Sequence, residues 1–115
     1  MNHNGVISLT PANAVTAGKV VHITNSNECD LSGAATDDVV GIVLHDVDPN
    51  ETSRPVDVQL IGAGGVGLVA VDGAISAGSL VTNKGNGEGE DSGVGTVIGV
   101  ALEDASAAGL IRVVF

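Results

Sequence analysis

The stretch from Ala74 to Phe115, AISAGSLVTNKGNGEGEDSGVGTVIGVALEDASAAGLIRVVF, decides the fold. It reads as a strand after an Ala-Gly turn, an acidic glycine loop and two further apolar strands. The same plan occurs earlier, between Ala14 and Ile61. Ala14-Val15-Thr16-Ala17-Gly18 matches Ala74-Ile75-Ser76-Ala77-Gly78 at an offset of 60 (77 minus 17). Gly41-Ile42-Val43-Leu44-His45-Asp46 matches Gly99-Val100-Ala101-Leu102-Glu103-Asp104 at an offset of 58 (99 minus 41). Two like-built halves, 14–62 and 74–115, predict a single β domain (14–115) with internal pseudo-symmetry. In a chain of 115 residues, two independent cores would each be too small to fold alone.

Outward from these repeats, the strand signals continue. Lys19 to Thr24 is rich in β-branched residues, with Val21 and Ile23 on one face and Val20 and His22 on the other. Asn25 to Asp38 carries the Ser, Asn, Asp and Gly of a polar connection. Val39 to Asp46 is apolar on both faces and predicts a central strand. Val56 to Leu60 alternates as a half-buried strand should, and Ile111, Val113 and Phe115 repeat that alternation. Leu68 to Val71 reads as another strand, and Gly85 to Gly95 as a flexible, exposed loop. Ala34 to Asp38 and Asp104 to Ala108 are each compatible with one helical turn. Residues 1–13 form an N-terminal arm or first strand: a polar tip from Met1 to Asn4, then Gly5 to Leu9, stopped by Pro11, which cannot donate to a ladder. That segment either frays or orders on a partner. No ten-residue window has a helical stripe. Short strands with regular turns predict an all-β fold, a small barrel or sandwich of tulip-like form with little or no helix.

Composition narrows the function. Aromatic residues are 1% of the chain and Phe115 is the only one, so the core must be built from Val, Ile, Leu and Ala. Each such side chain contributes roughly 1.5–3 kcal/mol when fully buried, against about 1–2 kcal/mol of backbone entropy per residue. With 17 glycines diluting that core, burial against a copy of itself or another protein is expected. The net charge of −10 rests on 14 acidic residues against Lys19, Arg54, Lys84 and Arg112. No basic stripe can be assembled to displace counterions, which excludes nucleic acid as a partner, and an anionic membrane surface on the same ground. Cys29 stands alone, so neither an intrachain disulfide nor a thiolate zinc cluster is possible. The N-terminus has no signal-peptide pattern and no stretch reaches a membrane span, which predicts synthesis in a cytoplasm.

Three motifs invite chemistry. Gly62 to Gly67 satisfies G-x-G-x-x-G, but dinucleotide binding needs a helix to start there and present its amides to the pyrophosphate. A strand follows instead, so the motif reads as a corner where strands approach closely. Asp46-Val47-Asp48-Pro49-Asn50 has the opening spacing of a calcium loop, yet Glu51 stands where glycine belongs and Asp57 where glutamate belongs. His3, His22 and His45 lie on separate elements, and no nucleophile elbow accompanies them. Glu88, Glu90 and Asp91 sit where neither desolvation nor rigidity would tune a carboxylate pair. No catalytic residue, metal site or cofactor is expected.

The order A-I-S-A-G-S-L-V (74–81), G-T-V-I-G-V-A-L-E-D-A (95–105) and G-L-I-R-V (109–113) resembles the head-decoration, or capsid cement, proteins of tailed bacteriophages. In that family the residue after Ala-Gly is often Asp; Lys19 and Ser79 stand there in this chain. The resemblance implies a non-enzymatic structural protein of the virion, a homotrimer on the outer face of the capsid that bridges major capsid protein subunits. It further implies that an N-terminal segment touches the capsid, here Asn2, His3, Asn4, Gly5, Val6, Ile7, Ser8, Leu9 and Thr10. The alternative is a pseudo-symmetric β-barrel binding or carrier module, for which Lys84 beside Gly85 is the candidate modified lysine.

Overall fold

A computed structural model describes residues 5–51 and 53–115. Among these residues, ten strands close into two five-stranded barrels. The first contains β1 (Val6–Pro11), β2 (Val20–Asn25), β3 (Glu28–Leu31), β4 (Val39–Val43) and β5 (Val56–Leu60), ordered β1-β3-β2-β4-β5 around the wall. The second contains β6 (Val66–Val71), β7 (Leu80–Gly85), β8 (Glu88–Glu90), β9 (Val97–Ala101) and β10 (Gly109–Val114). Its order, β6-β8-β7-β9-β10, is the same path. The short 3-10 turn Ile61–Ala63 joins the two. Each repeat therefore begins one strand earlier than its Ala-Gly turn, with β1 and β6 as equivalents.

The repeated sequence signals have repeated physical causes. The amide of Ala17 donates to Asp46 Oδ1 at 2.8 Å and that of Ala77 to Asp104 Oδ1 at 2.7 Å, so the Asp of each repeat clamps the Ala-Gly turn. Gly18 and Gly78 adopt φ of 90° and 88°, left-handed conformations that cost a side-chain-bearing residue energy, and their amides donate to Val43 and Ala101 carbonyls at 2.8 Å. Gly41 and Gly99 are needed for space. A Cβ at either would overlap a carbonyl on the neighbouring strand, that of Gln59 or of Val114. His45 and Glu103 are also equivalents. His45 Nε2 accepts the Asp57 amide at 3.1 Å, and Glu103 Oε2 accepts the Arg112 amide at 2.8 Å.

Three expectations are corrected. The connection Asn25 to Asp38 contains β3, and Gly85 to Gly95 contains the end of β7 and all of β8. Gly85, Gly87 and Gly89 are buried there, because Cβ atoms would crowd Gly33 O, Leu31 and Lys19, or Val81. What looked like a flexible loop is a hairpin turning at Asn86-Gly87, both with positive φ, the combination that suits a tight two-residue turn. Asn86 at the turn and Asp91 to Val94 are its exposed residues. The helical turns expected at 34–38 and 104–108 are non-helical turns and bends. In the first of these, Asp37 Oδ2 accepts the Gly33 and Ala34 amides at 2.8 and 3.0 Å, making carboxylate contacts that compete with a helix.

Both barrels have aliphatic cores. Leu9, Val15, Val21, Cys29, Val43, Val47, Val56 and Val58 fill the first. The second is filled by Val69, Val71, Ile75, Val81, Ile98, Ala101, Ile111 and Val113, with Phe115 packed at its margin. Val20 and Ile42 belong to the first barrel's strands yet join the second cluster, which explains why β2 and β4 are apolar on both faces. The barrels are also sewn together by polar groups. The Val20 amide donates to Gly87 O and the Ala70 amide to Gly18 O, both at 2.8 Å. Asn83, fully buried on β7, accepts from Ser32 Oγ at 2.8 Å and donates to Ala34 O at 2.9 Å.

Asn83→Ala leaves the buried Ser32 hydroxyl and Ala34 carbonyl without these partners. It is expected to cost about 2–6 kcal/mol, from about 1–3 kcal/mol for each of the two stranded groups, read as a lower midpoint in urea unfolding. Gly99→Ala is expected to destabilise by about 1–3 kcal/mol through overpacking, whereas Gly73→Ala, whose Cβ meets nothing within 4 Å, stays within about 0.5 kcal/mol of wild type. The Ala34 and Gly33 amides, in that order, hold the Asp37 carboxyl below its ordinary 3.8. Its stabilisation is thus complete above pH 3.8 and disappears as pH falls through the lower folded value. Acid titration of thermal stability is expected to show Asp37→Asn converging on wild type below that pH.

Candidate interaction surface

Most of the exposed large apolar side chains lie on the second barrel. Strands β6, β7, β9 and β10 read VGLVAV, LVTNKG, VIGVA and GLIRVV and contain no carboxylate. In a chain with 14 acidic residues, that is a marked segregation of charge. Across these strands one row stands in register: Val66 opposite Val114, Val114 opposite Val100, and Val100 opposite Leu80. Their exposures are 48%, 39%, 38% and 49%, so the row is a solvent-facing apolar stripe crossing four strands. Leu68, Leu102 and Leu110 widen it and are likewise exposed.

The cation within this face is Arg112, opposite Leu68 on β6. Its Nε lies 3.1 Å from Glu103 Oε2. The amide of Arg112 first, and then its guanidinium, pull the Glu103 carboxyl below its ordinary range, so this pair stays ionised near neutral pH and is matched within the chain. Beside the stripe, where the barrels meet, is a groove of about 410 Å3 lined by Leu44, Gln59, Val66, Leu68, Leu110 and Arg112, among others. Gln59 Nε2 reaches across it to the Val66 carbonyl at 3.1 Å. This surface is not legible in the sequence: the repeats match like segments of the two halves, but nothing in their letters says which members of each match face water.

The N-terminal candidates divide. Asn2, His3 and Asn4 lie outside the described residues. Gly5 is buried with φ of 68° and passes close to Ala63. Val6, Ile7, Ser8, Leu9 and Thr10 run along β1, pairing antiparallel with β5 from Val6–Gln59 to Leu9–Val56, while Thr10 and Pro11 pair in parallel with β3. Pro11 ends the strand as expected. Ser8 and Thr10 are the exposed members, and Ser8 Oγ donates to Asp57 Oδ1 at 2.9 Å.

The chemical motifs have structural explanations. Gly62 to Gly67 spans the linker between barrels, with the 3-10 turn at its start and β6 beginning at Val66. A Cβ on Gly67 would strike the Phe115 ring, the close approach expected of that glycine. In the calcium-like loop, Asp46 Oδ1 is occupied by the Ala17 amide and Asp48 Oδ1 by that of Asn50 at 2.9 Å. His22 pairs with Asp37 at 3.6 Å, far along the chain from His45. Among the described residues no group of three His, Cys, Asp or Glu side chains could hold a metal ion. Cys29 is enclosed in the first core, and burial, then Asp30 and Glu28, push its thiol up to about 11, which disfavours the nucleophilic thiolate. Lys84 Nζ lies 2.8 Å from Asp72 Oδ2; that hydrogen bond and charge raise the ammonium pKa, opposite to what a reactive amine requires.

These observations describe a β body with an apolar face to which strands β6, β7, β9 and β10 contribute no carboxylate. Among curated proteins, none matches the chain. Among solved structures, the N base of head fiber gp8.5 of bacteriophage phi29 superposes with a TM-score of 0.68 over 96% of this chain and 92% of that one, at 20% identity. That likeness is one of fold. A family model described as phage cement protein matches residues 1–115, its whole length, and the chain therefore belongs to the phage cement protein family.

Proposed function

We propose that this protein is a capsid decoration protein that binds the outer surface of a tailed-phage head as a homotrimer and stabilises it against disassembly. The observation that carries this reading is the match of the entire chain to the cement family. The physics is consistent with it. A cement protein performs no reaction; it adds interface across joints between shell subunits, and a typical stable interface buries about 1,200–2,000 Å2. Many equivalent joints then hold together through multivalency. The acidic surface of the protein favours a basic or apolar contact on the major capsid protein, and the segment Asn2 to Thr10, which includes most of β1, is the proposed point of contact. Synthesis in the host cytoplasm followed by addition to the head accords with that role.

The experiment is to add purified protein to expanded heads that lack it, and to follow cosedimentation and the temperature at which the heads break open. Saturable binding and a higher breakage temperature are expected. Deleting residues 2–4 is expected to weaken binding at least tenfold while the unfolding midpoint of the isolated protein is unchanged. Failure of the wild type to bind expanded heads would overturn the proposal.

A further inference from the structure

The two barrels follow the same path, so each position in one has an equivalent in the other, and the apolar row of the second barrel can be traced onto the first. Val66, Val114, Val100 and Leu80 correspond to Val6, Gln59, Ile42 and Val20, which stand opposite one another in the same order across β1, β5, β4 and β2. In the first barrel the inner half of that row is closed off: Ile42 is 1% exposed and Val20 0%, and both pack into the core cluster of the second barrel. This face is thus already used once within the chain, to dock one copy of the repeat on the other. On the second barrel, Val100 and Leu80 occupy the same places with nothing over them in the single chain.

We propose that this second, unpaired face docks on another copy of the same chain. Taking the trimer of the preceding section as its premise, the inference identifies the surface that makes it. The intrachain contact shows that this row, in this fold, seats against another barrel of the same kind. Charge selects the same occupant: copies that each carry −10 repel one another over most of their surface, whereas β6, β7, β9 and β10 contribute no carboxylate to this face and the neighbouring Glu103 is paired with Arg112. Arg112 on this face is already matched by Glu103 of its own chain, so the face can seat head-to-tail on a different surface of the next copy, as a threefold ring requires, without stranding its own charge. The contact differs from the intrachain one in a single respect. The first barrel closes the seam between β1 and β3 for itself, through the Thr10 amide on Asn27 O at 2.8 Å, so the contact between copies is made by side chains, without an inserted backbone.

The test is sedimentation velocity and native mass spectrometry of the full chain across a concentration series. The variants are Val100→Asp, Leu80→Glu and the milder Leu80→Asn, with Ile23→Asp as a control at an exposed apolar position on the first barrel. The wild type is expected to assemble. Val100→Asp and Leu80→Glu are expected to raise the dissociation constant at least tenfold with unchanged circular dichroism, Leu80→Asn to do so to a smaller extent, and Ile23→Asp to assemble as wild type does. If Val100→Asp misfolds, the two Leu80 variants decide the matter. A wild type that stays monomeric at several hundred micromolar, or face variants that assemble normally, would overturn the inference. Face variants that assemble normally but no longer bind expanded heads would assign the face to the shell protein, leaving the decoration role standing. Head binding by the wild type with no self-association would separate the two in the other direction.

Discussion

The structure depends on a pair of backbone hydrogen bonds that belong to neither barrel alone. In the first barrel, β1 and β3 close on each other over two residue pairs. In the second, the equivalent strands β6 and β8 retain only Val71 opposite Gly89. The segment Gly18 to Val20 stands in the opened seam, giving its carbonyl to Ala70 and its amide to Gly87. Buried backbone groups must be paired somewhere, and here each barrel's groups are completed by the other's. The Asn83 side chain and the Val20–Ile42 contact follow from that insertion, which is why two small aliphatic cores behave as one body.

The repeat was legible because its causes are local and chemical. A left-handed glycine after alanine, an aspartate that caps the turn, and a glycine that makes room for a neighbouring carbonyl each leave a letter in the sequence, and each letter occurs twice. The barrel class and the alternating strands β5 and β10 followed from the same reading. The third strand of each repeat did not. Glu28–Leu31 and Glu88–Glu90 carry carboxylates and glycine in place of β-branched residues, and they are strands because their neighbours on both sides supply the ladder. Tertiary pairing overrode local preference there. The interaction face was hidden for a related reason. Val20 and Leu80 look alike as letters, and only the docking of one barrel on the other makes the first interior and the second exterior.

The same asymmetry sorts the polar residues. Asn83 is buried as a bridge where the equivalent position in the first barrel holds Ile23, which is half exposed. Three of the residues that suggested catalysis or metal binding are spent on backbone amides: His45 on Asp57, Asp46 on Ala17, Asp48 on Asn50.

The interleaved seam also sets an order of events on the ribosome. All five strands of the first barrel are encoded by residue 60, before any strand of the second. Val20 and Ile42 cannot be covered at that stage, since the glycine that accepts the Val20 amide is residue 87. For the interval in which roughly thirty further residues emerge, at about 5–20 residues per second, a nascent chain holds five strands whose Val20 and Ile42 side is still open to solvent. That window of a few seconds is when the chain is most exposed to mispairing with a neighbour on the same polysome.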